Sequence, residues 1–288
     1  MKKNLTVLAL VLFVFIGFSQ DEQEPQKSSN IQTYTPSKLL NKGQWDIKWF
    51  NNLYTETEAA GGSGNVAIPR QTFFTSSIDI FTGVSNSNRL NLGLLVELRS
   101  NTIAGRNTFD VFQFDGNPQS ARSGLTSFAP AVKFNPVKDV GNFTIQTAFH
   151  IPLIDNETEN GVYLDQTAYT LQNRFFYDYT FPDGSWQLFT ELNTEYNFGD
   201  EDSFANNTFV LAPGIFMSYF PNQEFTVLGF LQHQQRYGDF KQDYTAVGGG
   251  AKYQLTPVLN LELLYSKFIR GNDTGLGQSF NIGLRALF

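Results

Sequence analysis

Over most of this chain apolar and polar side chains alternate with a period of two, in blocks separated by turn residues. From Leu90 the set Leu90, Leu92, Leu94, Val96 and Leu98 is apolar, while Asn91, Gly93, Leu95, Glu97 and Arg99 lie between. From Trp186 the set Trp186, Leu188, Leu192, Tyr196 and Phe198 opposes Gln187, Phe189, Glu191, Asn193, Glu195 and Asn197. Phe143, Ile145, Phe149 and Ile151 alternate with Thr144, Gln146, Ala148 and His150, and Leu259, Leu261, Leu263 and Tyr265 with Asn260, Glu262, Leu264 and Ser266. Successive side chains of a strand point to opposite faces, so each block is a strand with one greasy and one wet face.

A soluble sandwich and a membrane barrel both satisfy that pattern, and the connections separate them. The alternation predicts strands over 43–55, 70–83, 88–100, 121–134, 142–153 and 166–181, then 185–198, 207–220, 223–236, 243–255, 258–270 and 277–288. Every second connection is a short turn (85–87, 135–136, 182–184, 221–222 and 256–257), and those between are longer and more polar (56–69, 101–120, 154–165, 199–206, 237–242 and 271–275). Short turns on one side and long loops on the other belong to outer-membrane barrels, where the short turns face the periplasm. Tyr177, Tyr179, Phe181, Trp186, Tyr219 and Phe220 gather beside two short turns, as an interfacial girdle does. The expected fold is all-β: a membrane-spanning antiparallel up-and-down barrel of about twelve strands with both termini periplasmic.

The ends of the chain fit export. Lys2 and Lys3 precede an apolar stretch from Leu5 to Phe18, with Gly17 and Ser19 small enough for cleavage before Gln20. Residues 1–19 read as a signal peptide, since the run is shorter than the roughly 20 residues a transmembrane helix needs. Residues 20–42 are polar, with Pro25 and Pro36, and read as a periplasmic lead-in rather than a plug, leaving 43–288 as the barrel. The absence of cysteine excludes a disulfide, a thiolate nucleophile and a lipidated N-terminus. A net charge of -7 without a basic stripe argues against nucleic acid.

At the C-terminus Phe280, Ile282, Leu284, Ala286 and Phe288 share one face, and Asn281, Gly283, Arg285 and Leu287 the other. This resembles the terminal β-signal of bacterial outer-membrane β-barrels, and the chain looks similar to barrels of the Bacteroidota. The resemblance implies insertion by the barrel assembly machinery and contact with outer-membrane lipid and lipopolysaccharide. It implies no substrate family.

Rolled into a barrel, the polar faces place Asp46, Lys48, Asp79, Glu97, Arg99, Lys133, Arg174, Asp178, Glu191, Glu195, Lys252, Glu262 and Arg285 in the lumen. Charges of both signs there either wet a channel or pair across a closed interior. Phe50, Phe176 and Phe189 also point inward, to fill volume or to offer a stacking face. The segment 109–114, with Phe109, Phe112 and Phe114, is apolar for an external loop; it either folds inward as a constriction or extends the flanking strands. Asp155, Glu157 and Glu159, and Asp200, Glu201 and Asp202, read as solvated acidic loops ahead of cation sites.

Enzymatic readings find little support. Only His150 and His233 offer imidazole bases, no hydrolase, phosphate-loop, dinucleotide or zinc motif occurs, and no cofactor or metal is expected. Glu191 and Glu195 share one strand face and read as lumen electrostatics rather than an acid/base pair. The expected function is a porin or selective channel for small hydrophilic solutes; the alternatives are a closed structural or interaction barrel and an outer-membrane hydrolase.

Overall fold

The computed structural model describes residues 35–61, 64–114, 117–138 and 140–288. The expected signal peptide, residues 1–19, and the first part of the expected lead-in lie outside them. The strands are β1 (Trp45–Gly61), β2 (Gly64–Gly83), β3 (Leu90–Thr102), β4 (Ala121–Phe134), β5 (Phe143–Pro152), β6 (Tyr169–Thr180), β7 (Trp186–Phe198), β8 (Thr208–Tyr219), β9 (Phe225–Gly238), β10 (Gln242–Thr256), β11 (Leu259–Asn272) and β12 (Gln278–Leu287). The sheet has thirteen strands among the described residues; one is the two-residue piece Thr274–Gly275 lying on β1, which leaves twelve in the wall. Each wall strand pairs antiparallel with its chain neighbours, and β1 pairs with both β2 and β12, so the sheet closes. Closure leaves no strand edge for lipid to meet, which is why barrels can span a membrane.

The seam between first and last strand is fixed at its end by two backbone bonds, Trp45 N to Phe288 O at 2.7 Å and Phe288 N to Trp45 O at 3.0 Å. Both ends of the wall therefore lie on the short-turn side. The outward sides of the strands carry the large exposed apolar residues, among them Leu92, Leu94, Leu125, Leu231, Leu263 and Ile282. Aromatic rings border this band: Trp186 and Tyr219 pack at 4.7 Å and Tyr179 and Phe181 at 5.2 Å by the short turns, and Phe149 stacks on Tyr169 at 5.8 Å toward the long loops.

Two departures from the sequence expectation concern chain outside the predicted strands. Residues 56–69, expected as a long loop, continue β1 and β2 as a hairpin up to Gly61 and Gly64. The register shifts between Glu56 and Glu58 opposite the stretch containing Pro69, where proline has no N–H to give the ladder, and pairing resumes beyond it. The lead-in does not stay outside the barrel: residues 35–44 enter its short-turn end. There Leu40 is fully buried among the inward-facing Phe81, Leu95, Ala129, Ala131, Ala148 and Leu287. The apolar Leu40 needs cover, and the small alanines of β4 and β5 leave a hollow of its shape.

Candidate functional site: the barrel lumen

The lumen is organised by the inner faces of all twelve strands, and three pieces of chain subdivide it. At the short-turn end residues 35–44 are tied down by Asp178 on β6, which accepts from Thr35 Oγ1 at 3.1 Å and from Ser37 Oγ and lies 3.7 Å from Lys38 Nζ. Leu40 N donates to Asn91 Oδ1 at 3.2 Å, and Thr144 Oγ1 donates to Pro36 O at 3.4 Å.

At the opposite end two long loops fold inward. The 153–168 loop carries a small hairpin, Thr158–Glu159 against Val162–Tyr163, and buries Val162, Leu164 and Ala168. The 199–207 loop buries Ala205 and lays Phe204 against the Arg236 guanidinium at 5.4 Å. Glu157 ties the two together: its carboxylate accepts from Ser203 Oγ, from Phe204 N at 3.2 Å and from Thr167 N at 3.0 Å. Glu159 pairs with Arg122 at 2.8 Å. Glu157 is a structural tie and not the freely solvated loop charge the sequence suggested, whereas Asp155, Glu159 and Glu201 are exposed and Asp200 accepts from Asp202 N at 3.0 Å. Among the described residues no group of three or more His, Cys, Asp or Glu could hold a metal ion.

The inward loop is latched to the wall by Asp165, whose Oδ1 lies 2.9 Å from Arg99 Nη1, while Arg99 Nε meets Glu97 Oε1 at 2.6 Å. Burial pushes the Asp165 carboxyl above the usual carboxylate range; Arg99 pulls it down and Glu97 adds to the rise. Behind this latch lies a cavity of about 300 Å³ lined by Glu97, Arg99, His150, Asp165, Glu195 and Arg236.

Between the two narrowed ends is a larger cavity of about 780 Å³. Lys48, Phe50, Asp79, Arg174, Phe189, Glu191, Lys252 and Glu262 line it. Asp46 and Arg285 lie on the inward sides of their strands, the sides that also carry Lys48 and Asn281. The charges stand as pairs: Arg285 grips Asp46 through two bonds at 2.6 and 2.8 Å, Arg174 meets Glu191 at 2.7 Å, and Lys252 meets Glu262 at 2.8 Å. Lys48 sits over the Phe50 ring at 4.7 Å and in register with Asp79. Glu195 accepts from Gln172 at 3.1 Å and Asn193 at 2.9 Å instead of pairing with Glu191. Lys133, over the Phe81 ring at 4.7 Å, is at the plugged end. Mixed, mutually compensated charge of this kind keeps a lumen polar without a strong field of one sign.

Aromatic rings complete the lining in two groups. Phe176, Phe189, Phe216 and Phe230 run across β6 to β9 with successive centroids 6.0, 5.5 and 5.4 Å apart. Tyr54, Phe268 and Tyr244 follow at 4.8 and 4.3 Å. The sequence reading picked out Phe50, Phe176 and Phe189 and missed the others, although Phe216 and Phe230 have the same parity as the polar sides of their strands. Glycines seat some of these rings: a Cβ on Gly248 would fall 2.3 Å from Phe230 and one on Gly93 2.4 Å from Phe81.

The two histidines lie on opposite sides of the wall. His150 faces the lumen beside Gln172, and His233 faces outward with Nδ1 2.9 Å from Thr245 Oγ1. They do not combine into one site. The 103–120 loop does neither of the two things expected of it. It forms a short 3-10 helix, Thr108–Phe112, whose Val111 packs against Leu53 and Phe74 on the outside of the barrel.

The family model described as "Putative MetA-pathway of phenol degradation" matches residues 59–286. No curated protein matches the chain. Among solved structures, an outer membrane channel from Pseudomonas putida F1 is similar in fold, with a TM-score of 0.71 at 11% identity over 93% of this chain and 100% of that one. The beta domain of the Bordetella autotransporter Brka gives 0.58 at 13% identity over 84% and 99%. The fold is that of an outer-membrane β-barrel.

Proposed function

The chain belongs to the MetA-pathway phenol degradation family, and we propose that it is an outer-membrane channel passing small hydrophilic solutes by passive diffusion. The observation that carries this reading is the lumen cavity of about 780 Å³, lined by compensated ion pairs and by ring faces. Paired charges hold water in the path, and the rings give a flat solute a surface to slide along without binding it tightly. The P. putida protein of similar fold is an outer membrane channel, which supports the same reading. The short turns and both wall ends face the periplasm, and export by residues 1–19 brings the chain there. The C-terminal strand, with Phe280, Ile282 and Phe288 exposed on its outward side, is what the assembly machinery reads, and lipopolysaccharide surrounds the long-loop end. The chain is of Bacteroidota type and carries out no catalysis.

A closed barrel is the second reading, favoured by Leu40 and Val162, both fully buried at opposite ends of the lumen. Swelling of proteoliposomes in isotonic arabinose separates the two. A channel gives swelling well above protein-free vesicles; swelling at the protein-free rate by a folded barrel refutes the channel and leaves the closed one.

A further inference from the structure

The 103–120 loop displays apolar side chains on the outside of the wall. Leu53 and Phe74 are register partners on the outward sides of β1 and β2, Val111 clusters with them, and Leu98 on β3 packs against that cluster. Ser100 Oγ donates to Val111 O at 2.6 Å and Arg70 Nη1 to Thr108 Oγ1 at 3.2 Å, so two hydrogen bonds fix the helix to the wall beside the Val111 contact. Phe112 lies edge-on to Phe74 at 4.9 Å beside this contact, and Phe109 stacks on Phe112 at 6.3 Å.

Phe109, at 70%, is more exposed than Leu263 at 50% and Ile282 at 47% within the lipid-facing band, and Phe112 and Phe114, at 46% and 44%, are close to them. Phe114 keeps its exposed ring although its φ of 48° is a conformation bulky residues rarely adopt. Leu53 and Leu98 each stand eight residues from the short-turn ends of their strands, Trp45 and Leu90. At about 3.3 Å per residue and a tilt near 45°, that is roughly 19 Å up a band about 25 Å tall. The helix therefore continues the lipid-facing surface at its long-loop rim, the depth at which aromatic side chains anchor to a bilayer.

We propose that Phe109, Phe112 and Phe114 enter the membrane at the long-loop rim and anchor this loop at the boundary between acyl chains and headgroups. The occupant of this surface is lipid, because the patch is continuous with the band that lipid already covers. The proposal is independent of whether the lumen conducts.

The chain has no cysteine, so Phe109→Cys takes a single NBD label, with Leu263→Cys as a mid-band control and Glu201→Cys as an aqueous one. Each protein is reconstituted into phosphatidylcholine vesicles containing doxyl lipids labelled near the headgroup or deep in the chain, and iodide is the water-side quencher. The expected result is blue-shifted emission at 109, quenched at least twofold more by shallow than by deep doxyl and little by iodide. Iodide quenching at 109 equal to that at 201, with 263 still quenched by deep doxyl, overturns the anchor and spares the barrel's membrane placement. Protection from both quenchers that disappears on diluting the protein in lipid assigns the patch to a second copy and overturns it too. Failure of doxyl quenching at 263 overturns the membrane placement itself, and the anchor with it.

Discussion

Leu40→Ala is the most informative single change. Leu40 is fully buried among Phe81, Leu95, Ala129, Ala131, Ala148 and Leu287, and it is the apolar anchor of the segment that narrows the short-turn end. Truncating a buried leucine to alanine removes its transfer free energy and leaves a cavity, together about 2–5 kcal/mol. The wall strands keep their ladders, so the loss falls on docking of residues 35–44. At 1.4 kcal/mol per tenfold, the undocked fraction rises from about 30-fold to several thousandfold. The polar ties to Asp178 remain and set the starting population. Two assays read the change: trypsin cleavage after Lys38 and Lys42, whose rate follows the undocked fraction, and single-channel recording, where open time lengthens. An unchanged cleavage rate and unchanged conductance in a folded Leu40→Ala barrel would refute the assignment of this segment as a narrowing element.

Further predictions concern the other end and the lining. A carboxyl whose docked pKa lies above its free value takes up a proton on docking. The raised Asp165 therefore favours the docked 153–168 loop below its free pKa of about 4, and that contribution is lost as pH rises through the raised value. Open probability should rise as pH climbs from the free carboxyl value of about 4 through the raised one in the natural protein and be flat in Asp165→Asn; equal slopes in both would show that Asp165 does not hold the loop. Arg174→Ala leaves Glu191 without its 2.7 Å partner, so the reversal potential in a salt gradient should move toward cation preference, and no shift would count against Arg174 lining the path. Gly248→Val places a Cβ where the Phe230 ring lies and should cost about 1–3 kcal/mol, read as a lower midpoint for urea unfolding in detergent.

The wall was legible because lipid on one side and water on the other enforce a period of two. The alternation of Leu90 to Leu98 against Asn91 to Arg99 is enough to orient β3, and the same parity places Lys48, Arg174 and Glu262 around one cavity. Residues outside the wall follow no such period. Phe109 to Phe114 looked misplaced for a loop in water, and its outward seat depends on Leu53 and Phe74, which are distant in sequence. Val162 and Leu164, apolar within an acidic loop, were the available sign that this loop turns inward. Leu40, an apolar residue in a polar lead-in, was the corresponding sign for the other end. In each case one buried apolar side chain overrides the polar composition around it.

Passive passage through this barrel requires a narrow water path past its two chain-lined constrictions. Recording from the purified, folded protein in a planar bilayer tests it most directly, in the natural sequence and in Leu40→Ala. Small ohmic steps are expected in the first and longer or larger openings in the second; silence from both folded proteins would contradict the channel.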